Sequence, residues 1–368
     1  MATNATILFT EFKIRNMLLK NRFVRSATHE AMATQGTGRM TPELVNLYKA
    51  LAEGDVGLII SSHAAVTSQG QVGPRQLLIE SDEAISGFKE LVDVCHHFGA
   101  RIAIQLAHGG AKAKQAELTG LGNLVVDTLT NEDIAQVTTA FAEGARRAKA
   151  AGADAVQIHC AHGYFLSQTL SPAFNHRTDR YGGDAASRAT IALEVVRAVR
   201  NVVGPEMAIL VKMNSQDFIE PTPEQPSVGQ TIADTCVVAR LLQEAGVDAI
   251  ELSGGIERGL LARTGLTLAK EAYHKDYARA VKQSGVTVPL ILVGGIRSFG
   301  MAAELLEGGV ADLVSLSRPF IRQPSLVKDR EMLQIERVAC ISCNRCFPTP
   351  AVGSRMACPF AQVAPPSS

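Results

Sequence analysis

Short apolar runs alternate with longer amphipathic stretches along almost the whole chain. The runs fall at 23–24, 56–60, 102–106, 155–158, 208–212, 249–252, 290–293 and 312–316. Each has the length of a strand and is apolar at consecutive positions, the pattern of a parallel strand covered on both faces. Between the runs, apolar residues recur at helical spacing. The stretch 134–150 places Ile134, Val137, Phe141 and Ala145 on one face, and 84–98 is a second such stretch, stopped by Gly99. Ala151-Gly-Ala-Asp154 and Ala245-Gly-Val-Asp248 punctuate two junctions from helix to strand. Eight strands, each followed by a helix, predict an α/β fold, a single (β/α)8 TIM barrel, in preference to an open doubly wound sheet. Three long connections, 66–80, 173–187 and 214–227, follow strand C-termini, where barrel sites are built. The barrel is expected over 1–335, with a short cysteine-rich C-terminal extension over 336–368.

Charge narrows the function. Among 368 residues, 36 Lys+Arg balance 36 Asp+Glu, so no nucleic acid or acidic membrane surface is expected as a partner. No apolar run reaches spanning length, and the opening Met1-Ala-Thr-Asn-Ala-Thr lacks the features of a signal peptide, so a soluble cytoplasmic protein is expected. In that compartment seven cysteines point to thiols or a metal site ahead of disulfides.

The densest chemistry is His159-Cys-Ala-His162-Gly-Tyr164, at the end of the fourth run. Two imidazoles offer donors near neutral pH, and the phenol is a weak acid. Such a set suits binding a carbonyl oxygen and protonating a neighbouring carbon. After the sixth, seventh and eighth runs stand Ser253-Gly-Gly, Gly294-Gly295 and Ser317-Arg318-Pro. Glycine turns at these strand ends admit an anion close to backbone N–H groups, so a phosphate of a substrate or cofactor is expected there. Tight turns alone would use the same residues. Gln105 and His108 end the third run and Lys212 ends the fifth, an amide and a cation at the barrel mouth. A flavin-free phosphate-binding isomerase or aldolase, with Lys212 as Schiff-base amine, is an alternative.

Asn21-Arg-Phe-Val-Arg-Ser26-Ala-Thr, Gln105-Leu-Ala-His-Gly, His159-x-x-His162-Gly-Tyr164 and Ser171-Pro-Ala-Phe-Asn175-His-Arg177-Thr-Asp179-Arg-Tyr181-Gly-Gly together resemble the old yellow enzyme family, FMN-dependent ene-reductases on a (β/α)8 barrel. The resemblance runs from about Phe9 to Arg330. It implies FMN and NAD(P)H as cofactors and a small-molecule enone or enoate as substrate. Ser26, Ala27 and Thr28 would lie along the flavin, and His29 would stand where relatives tune its potential. Gln105 would bind the pyrimidine edge. Lys212 would stand near N1 and O2, where arginine is usual. Ser253, Gly294, Gly295, Ser317 and Arg318 would hold the phosphate. His159 and His162 would bind the substrate carbonyl and Tyr164 would protonate the α-carbon. Relatives often carry an arginine shortly after the third-strand histidine; here the run ends in Lys112. Family barrels often associate, so a homo-oligomer is a further expectation.

Cys340-x-x-Cys343-x-x-Cys346, with Cys358 beyond and Pro359 after it, suits thiolate ligation of a 4Fe-4S cluster. Larger relatives, resembling dienoyl-CoA reductase and trimethylamine dehydrogenase, carry such a cluster, with one more residue between the second and third cysteines. No domain to feed it follows within these 368 residues, so an electron-transfer partner would be a separate protein. Structural zinc or free thiols are the alternatives.

Overall fold

The computed structural model describes residues 5–113, 124–219, 222–223, 229–256, 270–347 and 355–361, so part of the 214–227 connection lies outside the described residues. Eight parallel strands close a barrel: β1 (Phe23–Arg25), β2 (Leu58–Ile60), β3 (Arg101–Ala107), β4 (Ala155–Cys160), β5 (Ala208–Asn214), β6 (Ala249–Ser253), β7 (Leu290–Val293) and β8 (Leu313–Leu316). β8 returns to β1 with Val314 opposite Phe23, which completes the circle. The helices include α1 (Pro42–Glu53), α2 (Ile85–His97), α3 (Asn131–Ala150), α4 (Phe165–Leu170), α5 (Ala185–Arg188), α6 (Thr190–Val203), α7 (Ile232–Glu244), α8 (Lys275–Gln283), α9 (Phe299–Glu307), α10 (Arg318–Arg322) and α11 (Leu326–Leu333). The expected barrel is therefore present. The two helices read from periodicity match α2 and α3; Gly99 at φ 71° ends the first, and a Thr130–Asp133 capping box starts the second. Among the described residues, no helix is long and apolar enough to cross a membrane.

An antiparallel hairpin, Phe12–Ile14 with Met17–Leu19, precedes the barrel. Its Ile14, Met17 and Leu19 join Ala103, Ala155, Ala208, Ala249, Leu58, Leu210, Ile291 and Leu313 in one buried cluster. The small inward alanines on four consecutive strands, β3 to β6, leave room for this plug, which closes the barrel beneath the site. The larger core lies between strands and helices.

The cysteine segment does not stand apart from the barrel. The Phe299 N–H donates to Glu336 O, Val338 N–H to Arg297 O, and Met356 N–H to Glu30 O. These bonds lay the described parts of the segment across the C-terminal mouth.

Candidate active site

Inward positions recur every second residue along a strand. Two residues beyond the apolar plug, they turn polar on six strands: Ser26, Gln105, Gln157, Lys212, Glu251 and Ser315, all buried. They form one network. Glu251 accepts from Ser26 Oγ (2.7 Å), Ser315 Oγ (2.8 Å) and Gln157 Nε2 (2.9 Å). Gln105 Nε2 donates to Gln157 Oε1 at 2.6 Å. Lys212 Nζ donates to Ser26 Oγ at 2.7 Å and lies 3.5 Å from Glu251. Burial lowers the Lys212 pKa while the Glu251 charge opposes that shift. A buried carboxylate is tolerable only with such a donor set.

Above this floor, β4 opens into the histidine loop. His159 is buried, and its Nδ1 accepts the Ala161 N–H at 3.1 Å, which puts the neutral ring's proton on Nε2. His162 has φ 63°, a left-handed conformation that costs a non-glycine residue about 1–2 kcal/mol. Three bonds hold it there: its N–H to Asn214 Oδ1 (3.0 Å), its carbonyl from Lys112 Nζ (3.0 Å), and its Nε2 with Ser253 Oγ (2.8 Å). Lys112 thus grips the loop backbone. Tyr164 packs edge-on to His159 at 4.8 Å, and burial pushes its phenol up to about 12, so it carries its proton at neutral pH. Burial, helped by the Lys212 and Lys112 charges, holds both histidines well below the usual imidazole range.

One residue that sequence reasoning missed completes the cluster. His63 is buried, stacked on His29 at 4.8 Å, and its ring lies 5.4 Å from Tyr164 and 6.2 Å from His159. Burial holds it neutral as well.

Beside the cluster runs a cleft of about 880 Å³, part of it open to solvent. Ser26, Ala27, Thr28, His162, Lys212 and Ser253 line one part, and Gly294, Gly295, Ser317 and Arg318 another. His29, Gln105, His159 and Tyr164 lie outside its wall, in the polar floor and the aromatic cluster. Gly294 has φ 138°, and a Cβ there would stand 2.5 Å from the His274 ring, so only glycine fits this turn. Cys340 and Cys346 also form cleft wall. With Cys343 and Cys358 they line a second, smaller cavity behind it. Among the described residues, no three His, Cys, Asp or Glu side chains converge on a point suited to a single metal ion. The segment that most specifically carries the resemblance serves the scaffold. Asn175 Nδ2 donates to Thr169 O and Tyr181 O, and Arg177 donates to Val126 O and Leu129 O.

The neutral histidines have a consequence in acid. Their folded-state pKa lies below the unfolded value, so stability is complete above about pH 6.5 and is lost as pH falls toward the folded value. The loss runs at about 1.4 kcal/mol per pH unit per histidine. Urea unfolding of the cofactor-free protein is expected to show this fall below about pH 6.5, and His63→Phe should flatten it. A slope unchanged by the substitution would contradict a neutral His63.

The comparisons with known proteins bear on the family and the fold. NADPH dehydrogenase of Bacillus subtilis (strain 168) is 33% identical over 326 residues, covering 86% of this chain and 92% of the relative. NADH oxidase of Thermoanaerobacter brockii is 31% identical over 92% of this chain, which spans only 52% of that relative. The chain thus matches nearly all of one kind of relative and about half of another. Among solved structures, 2-naphthoyl-CoA reductase superposes with a TM-score of 0.86 at 22% identity, over 97% of this chain and 57% of its own. Morphinone reductase gives 0.75 at 24% identity, over 92% of each chain. The first overlap is larger than the barrel alone and takes in part of the cysteine segment. The family description NADH:flavin oxidoreductase / NADH oxidase matches residues 7–333, and the chain belongs to that family.

Proposed function

We propose that the protein is an FMN-dependent ene-reductase that uses NAD(P)H to reduce the alkene of α,β-unsaturated carbonyl compounds. The observation that carries this reading is the neutral His159–His162–Tyr164 cluster standing beside a cleft with a glycine turn at one part and Lys212 at another. The cleft suits FMN: the Gly294 turn runs along the cleft wall where a Cβ would push the His274 and Tyr273 rings out of place, and the Ser317–Arg318 turn supplies polar groups for a phosphate. Lys212 and Ser26 suit the polar edge of the ring system. FMN, when bound, takes hydride from NAD(P)H and passes it to the β-carbon.

The chain's own residues do the rest. To the carbonyl oxygen His159 donates from Nε2 and His162 from Nδ1, while the His162 Nε2 accepts the Ser253 hydroxyl; both donors stabilise the negative charge that grows there. Their neutrality matters, because a neutral imidazole binds the oxygen without losing its proton to it. Tyr164 then gives its proton to the α-carbon, and hydride plus proton complete the saturation. A Schiff-base role for Lys212 is disfavoured, since its buried amine is held by Glu251 and Ser26.

Gly294→Ala is expected to abolish retention of FMN while the far-ultraviolet circular dichroism stays native; full FMN occupancy in the variant would contradict this role of the turn. For the activity itself, anaerobic oxidation of NAD(P)H should depend on added cyclohex-2-enone.

A second reading adds an iron–sulfur cluster, as in an enoate or dienoate reductase fed by a partner electron carrier. It is favoured by four cysteines that line one cavity and by the Cys340-x-x-Cys343-x-x-Cys346 spacing with Pro359 after Cys358, a pattern that suits a cubane. In this reading 336–368 is a ligand segment attached to the 1–335 barrel. Anaerobically purified protein is expected to carry about four iron and four sulfide per chain, and Cys343→Ser should lose them. Stoichiometric zinc, or no metal, would remove this reading and leave the first intact.

A further inference from the structure

His63 has an unspent donor. Val72 N–H donates to Gln76 Oε1 at 2.7 Å, which fixes the orientation of that amide. Gln76 Nε2 therefore donates to His63 Nδ1, 2.6 Å away. With Nδ1 accepting, the neutral ring carries its proton on Nε2. That Nε2 is buried and meets no hydrogen-bond partner among the described residues. A buried N–H left unsatisfied costs about 1–3 kcal/mol, so its retention beside the site needs a reason.

The placement supplies one. Away from Gln76, the His63 ring neighbours are His29, Tyr164 and His159. Tyr164 packs against both His63 and His159, at 5.4 and 4.8 Å, while the two imidazoles are 6.2 Å apart. The three rings meet as a triangle, with the phenol against both imidazoles. A ligand that complements it has an acceptor, a carbon that takes a proton, and a second acceptor.

We infer that His63 is a specificity-determining residue whose Nε2–H binds a second acceptor on the substrate, so that the site favours alkenes flanked by a carbonyl at each end. This rests on the ene-reductase reading. His159 and His162 hold one carbonyl, Tyr164 faces the alkene, and His63 takes the other carbonyl.

The test uses FMN-loaded enzyme and two unreactive ligands, phenol and 4-hydroxybenzaldehyde, titrated by calorimetry. Wild-type protein is expected to bind the aldehyde more tightly than phenol. His63→Phe, which keeps a ring against His29, should weaken the aldehyde about tenfold, the equivalent of one hydrogen bond, and leave phenol unchanged. His63→Gln, which keeps a donor, should recover part of the loss. In turnover, His63→Phe should lower kcat/KM for cyclohex-2-ene-1,4-dione about tenfold but not for cyclohex-2-enone. Equal losses on both members of a pair, no loss on either, or failure of His63→Phe to retain FMN would each overturn the proposal. A wild-type enzyme that reduces cyclohex-2-enone while binding both phenols equally would overturn this inference alone. One that reduces neither alkene would overturn the ene-reductase reading beneath it.

Discussion

Tyr164→Phe is expected to slow reoxidation of the reduced enzyme by an enone by about 10²–10⁴-fold, the usual worth of a positioned general acid. Flavin reduction by NAD(P)H should stay nearly unchanged, because that half-reaction needs no proton from the phenol. The packing makes the substitution a clean one. Phenylalanine keeps the edge-on contact with His159 and the tilted contact with His63, and only the hydroxyl is removed. Rapid-mixing absorbance of each half-reaction separates the two rates. If both fall together, the residue positions the cofactor and is not the acid. The high pKa of about 12 adds a pH prediction. The phenol stays protonated across the neutral range, so the reoxidation step should show no loss attributable to Tyr164 ionisation up to about pH 10, where an ordinary tyrosine is half ionised.

Glu251→Leu is expected to be the most damaging single change in the barrel floor. The carboxylate answers the Lys212 charge and collects hydrogen bonds from Ser26, Ser315 and Gln157. Leucine would leave a buried ammonium without its counter-ion and three buried donors without an acceptor. Breaking a buried pair from one side costs about 3–5 kcal/mol. Denaturant unfolding should report that loss, and FMN affinity should fall because Ser26 and Lys212 form part of the cleft wall. Glu251→Gln keeps the shape and an acceptor oxygen, so it should lose less stability. The double change Glu251→Leu with Lys212→Met removes both charges and should regain much of the loss. If the double variant is no more stable than Glu251→Leu, the penalty is packing and not an unpaired charge.

The barrel was legible in the sequence because parallel strands buried on both faces leave unbroken apolar runs. The hairpin beneath it was not. Its strands are three residues each, too short for a period to register, and its importance lies in plugging side chains that become neighbours only when the barrel closes. The His159–Tyr164 cluster was legible because its members are adjacent in the chain. Glu251 was hidden inside an apolar run, although counting inward every second residue from Ala249 would have reached it. His63 is a single histidine among Ser61, Ser62 and Ala64. Nothing local distinguishes it from a satisfied core residue; its meaning comes from Gln76 on one side and Tyr164 on the other. Cysteine spacing pointed to a shared ligand. That Cys340 and Cys346 also wall the cleft depends on how the segment crosses the barrel mouth.

The most direct test of the central claim is a single-turnover experiment on anaerobic, NADPH-reduced protein mixed with cyclohex-2-enone. Oxidised-flavin absorbance should return at a rate that depends on enone concentration, with one saturated ketone formed per flavin. A protein that takes up no FMN, or a reduced flavin that the enone leaves reduced, would contradict the account.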